Sequence, residues 1–216
     1  MTDSRWLTGR GFGVHSPWAY QLIETVINEK RPYYAYEDLF SFWEAAPQYM
    51  PQYTENRDKL LFRLTNHIQP RFILEVGTGA GVSTGYLASV STKTPVVTID
   101  TKHPAVNLIR ENFKTFSQID YRIGDVLQEL NQLLETNPSL DLVHIAHTIF
   151  YKEAVEMILP HVNENTLIVV EDMGKKDKKE WWNQIILDER VGVTFRMKKM
   201  GMLFFDLKKI KQHYVI

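Results

Sequence analysis

From residue 72 onward the chain alternates short apolar runs with amphipathic stretches. "FILEV", "PVVTID", "DYRIG", "LDLVHIA" and "TLIVVED" read as strands, and the segments around 81–91, 104–116, 125–136 and 150–160 read as helices between them. Near-continuous apolar strands joined by helix-length crossovers predict a mostly parallel sheet covered on both faces, an α/β architecture. The rhythm changes at "VGVTFRMKKMGMLFFDLKK", where two β-rich runs around Met200 and Gly201 predict an antiparallel hairpin.

The first 70 residues are patterned differently, with many aromatics and prolines and few β-branched runs. In "HSPWAYQLIETVINEK", Ser16 is placed as an N-cap and Pro17 at the first helical position, with Trp18, Leu22, Ile23, Val26 and Ile27 on one face. A second helix is expected over "TENRDKLLFRLTNHI", capped by Thr54, striped by Leu60, Leu61, Leu64 and Ile68, and stopped by Pro70. "RPYYAYEDLFSFWEAAPQYMPQY" between them reads as a short helix flanked by loops. Residues 1–70 are therefore expected to form a helical cap or lid, and residues 71–216 the α/β domain.

Composition narrows the function classes. Lys plus Arg number 25 against 26 Asp plus Glu, so the overall basic field that non-specific nucleic-acid binding requires is missing. With no cysteine there is no disulfide framework, thiolate nucleophile or Cys-ligated zinc. The start, "MTDSRWLTGRGFG", lacks an apolar signal core and no run reaches membrane-span length, so neither membrane nor nucleic-acid partners are expected and the location expected is cytoplasmic. The lysine run "KKDKK" at 175–179 reads as a solvated helix start, with an anionic-ligand patch as the alternative.

The candidate chemistry lies in "ILEVGTGAGVS". In an open parallel sheet the ligand crevice lies beyond the carboxyl ends of the strands, and this glycine turn follows the first of them. Gly77, Gly79 and Gly81 allow torsions and close approach that a β-carbon would obstruct, and the free N–H groups of the next helix favour polar or anionic ligand groups. The spacing is G-x-G-x-G, with Val82 where a dinucleotide fingerprint has its last glycine. Three acids accompany the turn: Glu75 before it, Asp100 ending "VVTID" and Asp125 after "RIG". A carboxylate at Asp100 suits the two hydroxyls of a ribose, Asp125 an adenine amine, and Glu75 an ammonium group or its water. A ligand with those three parts and no phosphate is S-adenosylmethionine. Asp100 and Asp125 also have the position of strand-end or helix-capping residues, and Thr78 and Ser83 read equally as ligand contacts or as structural hydroxyls.

On these motifs the chain resembles the class I S-adenosylmethionine-dependent methyltransferases over roughly residues 70–207, which implies a Rossmann-like sheet whose last strand is reversed. "LEVGTGAG", "VVTID", "IGDV", "LDLVHIA" and "LIVVEDM" follow one another in the family's order, and "GTGAGVSTGYLA" is similar to the small O-methyltransferase-like branch. "GVHSPWAYQLI", "EDM…WW" and "KQHYVI" also resemble a methyltransferase group common in Bacteroidetes. The resemblance implies methyl transfer to a small-molecule acceptor, at oxygen. The residues assigned to the cofactor are Glu75, Gly77, Thr78, Gly79, Gly81, Ser83, Asp100, Thr101, Asp125, Val126 and Ala146. His147, Glu171 and Asp172 are assigned to catalysis.

In metal-dependent O-methyltransferases the family pattern supplies an Asp after the fourth strand and an Asp-Asn pair after the fifth. Here Ala146 stands at the first position, while Glu171 and Asp172 match the pair, so a divalent metal is not expected. His147 reads as a general base, as a ligand to a softer ion with Glu171 and Asp172, or as a strand-end histidine bonded to backbone or solvent. His144, inside the strand, reads as structural. His15, Trp18, Tyr33, Tyr34 and Tyr36 are candidates to line an acceptor pocket, or else core. Trp181 and Trp182 are left between the pocket's far side and a dimer contact. Two rival readings stand: a degenerate module that binds the cofactor without chemistry, for which Ala146 speaks, and a nicotinamide-dependent oxidoreductase, against which the glycine spacing speaks. The residues do not decide the oligomeric state, for which a homodimer is the commonest case among such enzymes.

Overall fold

The computed structural model describes residues 11, 13–44, 48–49, 55–136, 138–146 and 148–216, with the side chains of 41 and 43 left out. The expected Thr54 cap and His147 lie outside the described residues.

Five parallel strands form the centre: β1 (Ile73–Val76), β2 (Val96–Asp100), β3 (Ile119–Ile123), β4 (Leu142–Ile145) and β5 (Leu167–Glu171). Three more complete the sheet, β6 (Val193–Arg196), β7 (Met200–Phe204) and β8 (Gln212–Val215), in the order β3-β2-β1-β4-β5-β7-β6-β8. β7 runs antiparallel to β5 and β6, as the hairpin reading expected. β8, which the sequence reading did not identify as a strand, pairs in parallel with β6, and its Tyr214 stacks on Phe195 at 5.0 Å.

The chain order reverses direction between β1 and β4, so the crossovers after β1 and β2 cover one face and those after β3 and β4 the other. On the first face lie α5 (Val82–Ala88) and α6 (Val106–Phe113), joined by α1 (Pro17–Leu22) and α4 (Glu55–Ile68). On the second lie α7 (Val126–Glu135), α8 (Tyr151–Ile158) and α9 (Lys176–Ile185). Leu74, Val76, Ile99, Val143, Ile145, Ile168 and Val170 face this second layer, which explains why the strands read as unbroken apolar runs: both of their faces are covered.

The N-terminal helices are part of this packing. Ser16 caps α1 by accepting from Ala19 N at 3.3 Å, Pro17 occupies the first helical position, and the helix runs on as a π turn over Ile23–Ile27. Leu22, Ile23 and Val26 pack with Leu60, Leu61 and Leu64 of α4 against Ile73, Leu142, Leu167 and Val169 of the sheet. Arg63 of α4 donates from Nε to Val26 O at 2.7 Å, taking up a carbonyl that the end of the π turn leaves without a helical partner. The expected single short helix is a pair, α2 (Tyr34–Asp38) and α3 (Phe40–Glu44). Leu39 and Phe42 lie 3.1 and 3.0 Å from where a β-carbon on Gly85 would sit, so a small residue there lets these helices rest on α5.

Several aromatic expectations are corrected by this arrangement. Trp18 meets Phe204 edge-on at 4.9 Å; Phe204 pairs with Leu167 at the amino end of β5, the edge opposite the glycine turn. It cannot line a pocket at the carboxyl edge. Tyr33 and Tyr36 pack on Phe62, at 5.2 and 5.5 Å, while Tyr34 is 89% exposed and His15 is exposed. Trp181 and Trp182 are both buried: Trp181 meets Tyr151 edge-on at 5.3 Å and Trp182 covers Gly201. Both belong to the second core layer. The lysine run is not wholly solvated either. Lys178 is 4% exposed, donates from Nζ to Glu171 O at 2.7 Å and lies 4.8 Å from the Tyr151 ring centre. Burial lowers its pKa, against the pull of Asp172.

Candidate active site at the carboxyl edge of the sheet

The glycine turn is built by main-chain hydrogen bonds to the neighbouring strand. Gly77 N donates to Ile99 O at 2.7 Å, Gly79 N to Asp100 Oδ2 at 2.9 Å, and Gly81 N back to Thr78 O at 2.9 Å. Gly81 sits at φ 82° as the residue that starts α5, and a β-carbon there would come within 3.2 Å of the Phe113 ring. Glycine is required on both counts, of torsion and of space.

Asp100 fixes the turn from the end of β2. Its Oδ2 accepts from Gly79 N and its Oδ1 from Thr101 N at 2.7 Å, and it is 7% exposed. Each oxygen thus takes one main-chain bond, Oδ1 also takes a long one of 3.4 Å from the Thr101 hydroxyl, and a carboxylate has about two acceptor positions per oxygen. One strand further, Asp125 is exposed and caps α7 by accepting from Gln128 N at 2.9 Å, with Val126 buried behind it. The capping reading of Asp125 is therefore realised in the structure, beside the same edge.

Tyr121 of β3 was missed by sequence reasoning. Its hydroxyl is buried and finds no hydrogen-bond partner among the described residues. Burial raises its pKa, with the Asp100 charge adding to the effect. An orphaned hydroxyl within electrostatic reach of Asp100, on the strand beside β2, fits a site that takes further polar groups from a ligand. Its only sequence signal was an aromatic residue between the polar Asp120 and Arg122 of the edge strand.

Glu75 departs from its expected role. Its carboxylate is fully buried and accepts from Ser83 at 2.7 Å, from Thr84, from Thr98 at 2.7 Å and contacts His144 Nδ1 at 2.9 Å. All four acceptor positions are taken by the protein, so Glu75 braces the turn from beneath instead of facing an ammonium group. Ser83 is fixed in the same way, and Thr78 shares a 2.7 Å hydrogen bond with Thr98, so both hydroxyls brace the turn.

The acidic pair after β5 divides. Asp172 has φ 60°, is partly exposed and pairs with Lys175 at 3.0 Å. Glu171 turns inward: its side chain is 1% exposed, and Oε1 lies 2.8 Å from Arg57 Nε and 3.1 Å from His144 Nε2. Both nitrogens of His144 therefore face carboxylates. A neutral imidazole has one N–H, so this geometry calls for the doubly protonated ring. Burial acts against that charge, and the bonds to Glu171 and Glu75 outweigh it, raising the pKa from 6.5 to about 9.

These surroundings do not suit the divalent ion of the metal-dependent relatives. Ala146, buried and donating its N–H to Val76 O at 2.9 Å, offers no ligand atom, and Glu171 already neutralises two cations. No group of three or more acids and histidines able to hold a metal occurs among the described residues.

The comparisons with known proteins bear on the fold. A family model described as a methyltransferase domain matches residues 74–173, from β1 to just past β5. No curated protein matches the chain. Among solved structures, the O-methyltransferase from Bacillus cereus in complex with S-adenosylhomocysteine superposes with a TM-score of 0.66 over 85% of this chain and 94% of its own, at 20% identity. The O-methyltransferase TomG from Streptomyces achromogenes, in complex with S-adenosylmethionine, gives 0.65 over 95% and 99% at 16% identity. A methyltransferase from Geobacter sulfurreducens gives 0.66 over 83% and 92%, also at 16%. At such identities the likeness establishes the fold, and none of the matches singles out the Bacteroidetes-type group. No described helix is long and apolar enough to cross a membrane. The chain has the fold of these class I methyltransferases, and its residues 74–173 match the model of a methyltransferase domain.

Proposed function

We propose that the protein transfers a methyl group from S-adenosylmethionine to an oxygen of a small-molecule acceptor. The observation that carries this reading is the glycine turn tied to the β2 terminal carboxylate, Gly79 N to Asp100 at 2.9 Å, at the carboxyl edge where the sheet order reverses. Bound there, the cofactor supplies a methyl group activated by its sulfonium charge.

The residues divide the work. The main chain of Gly77, Gly79 and Gly81 gives the close approach, the second acceptor positions of Asp100 take the ribose hydroxyls, and Asp125 with Val126 borders the adenine. Tyr121 joins this side as a donor. Thr101 follows Asp100 and contributes through its main chain, and Ala146 forms an apolar wall next to the turn. Asp172, the partly exposed acid at the end of β5, is the candidate to accept the acceptor's proton, together with His147. Glu171 acts through Arg57 and His144 and not on the substrate. Much of the acceleration then comes from holding the acceptor oxygen in line with the methyl group, which orientation alone can achieve. The N-terminal region closes this edge near Tyr49, which meets His103 in the loop after β2 at 6.2 Å.

Transfer of labelled methyl from S-adenosylmethionine to a panel of phenols, catechols and carboxylic acids tests the reading, together with binding of S-adenosylhomocysteine and of NAD. Cofactor binding with no transfer across the panel would favour the degenerate module, for which the internally paired Glu171 and the inert Ala146 speak. Binding of NAD in place of S-adenosylhomocysteine would favour the oxidoreductase.

A further inference from the structure

A continuous line of polar contacts runs beneath the carboxyl edge, from the end of β5 to the glycine turn. Arg57, in the first turn of α4, lies 2.8 Å from Glu171; Glu171 lies 3.1 Å from His144; His144 lies 2.9 Å from Glu75. Glu75 then accepts from Thr98, which shares a hydrogen bond with Thr78 inside the turn, and from Ser83 and Thr84 in the first turn of α5. Every side chain from Glu171 to Thr78 is buried. Glu75, Thr98 and His144 stand in one register row across three adjacent strands, so the sheet itself holds the line straight.

The cations in this line match its carboxylates, and Lys178 adds a further one, with Nζ 2.7 Å from Glu171 O. Two carboxylates, Glu75 and Glu171, face one guanidinium and one imidazolium, the latter required because both ring nitrogens meet carboxylate oxygens. A divalent ion at Glu171 would have to displace Arg57 and would stand next to His144, adding two positive charges where Arg57, His144 and Lys178 already stand.

We propose that Arg57 and His144 act as fixed cations in the place of a divalent ion at the end of β5, and that through Glu75 they are positioning residues for the cofactor turn. The positioning half rests on the reading of that turn as the methyl-donor site; the fixed-cation half does not.

Two measurements on the full chain test it. Protein stripped with EDTA is titrated with Mn²⁺ and bound ion is followed by electron paramagnetic resonance and calorimetry. The expected result is no saturable site that depends on Glu171; one-site Mn²⁺ binding that Glu171→Gln abolishes would overturn the fixed-cation half. Adenosylhomocysteine affinity is then measured for Arg57→Met, Arg57→Lys and Thr98→Val, with Leu133→Ala in the opposite core layer as a stability control. Arg57→Met and Thr98→Val should weaken binding by about tenfold, the scale at which residues along a coupled network act on a distant site. Arg57→Lys should restore most of it, and Leu133→Ala should lower the melting temperature without moving the affinity. Thr98→Val removes one hydroxyl and no charge, so it remains informative if Arg57→Met does not fold. Unchanged affinity in Thr98→Val, or an equal loss in Leu133→Ala, would overturn the positioning half. Failure of the unaltered protein to bind adenosylhomocysteine would instead strike the proposed function, with the Mn²⁺ result standing apart from it.

Discussion

His144 Nδ1 lies 2.9 Å from Glu75, a residue 69 positions earlier in the chain, while its Nε2 lies 3.1 Å from Glu171. The ring and both carboxylates are buried, with Arg57 as the fourth charge. Because the folded pKa is raised to about 9 from an ordinary 6.5, the folded chain holds this proton more tightly than the unfolded one. The stabilisation is therefore full below pH 6.5 and is lost as pH rises from 6.5 through about 9. Urea midpoints should fall across that window and fall less in His144→Gln; a flat profile for the unaltered protein would contradict the charged ring.

Taking the ring away is a harsher change. His144→Ala leaves two carboxylates facing each other below the sheet edge, and removing one member of a buried ionic set costs about 3–5 kcal/mol. Chemical denaturation at pH 6 should show a loss of this size, whereas a change under about 1 kcal/mol would mean the set contributes little.

Asp100 is expected to act on affinity. Asp100→Ala removes both the main-chain anchor of the turn and the proposed ribose acceptors, and a lost hydrogen bond to a charged group costs about 1.5–3 kcal/mol. Adenosylhomocysteine should bind at least about tenfold more weakly by calorimetry. Affinity within twofold of the unaltered protein would remove Asp100 from the site.

Tyr121→Phe isolates one atom. The hydroxyl has no protein partner among the described residues, so its loss should leave stability unchanged or slightly improved. Adenosylhomocysteine affinity should drop several-fold by the usual worth of one hydrogen bond, about 0.5–1.5 kcal/mol. Equal affinity with raised stability would mark the hydroxyl as a packing defect.

Gly201→Ala separates folding from binding. Its β-carbon would overlap the Trp182 ring, which is buried. Overpacking of this kind costs about 1–3 kcal/mol. The melting temperature should fall while adenosylhomocysteine affinity holds; an unchanged melting temperature would mean that α9 yields more readily than its packing suggests.

The strands and their crossovers were legible because each central strand is covered on both faces, which leaves an apolar run between helix-length intervals. Ser16 and Pro17 announced α1 for the same local reason: both act within one turn of themselves. The construction of the turn was legible only where it is main-chain and nearby, as in the glycines and Asp100. Glu75 and His144 meet across 69 residues, and nothing in either neighbourhood reports whether a carboxylate points into the crevice or beneath it. Lys178 looked solvated inside a run of lysines. Its helical phase, three residues before Trp181, sends it inward, where Glu171 O receives it. Trp18 has the periodicity of a buried residue, but periodicity does not say which end of the sheet its helix covers. β8 escaped notice because its outer edge is open, so it alternates half-buried and exposed residues over four positions only.

The most direct test is calorimetric titration of the unaltered protein with S-adenosylhomocysteine and, in parallel, with NAD. The account predicts one-site binding of S-adenosylhomocysteine, weakened by Asp100→Ala, and no binding of NAD. Absence of S-adenosylhomocysteine binding at millimolar concentration, or binding that ignores Asp100→Ala, would contradict it.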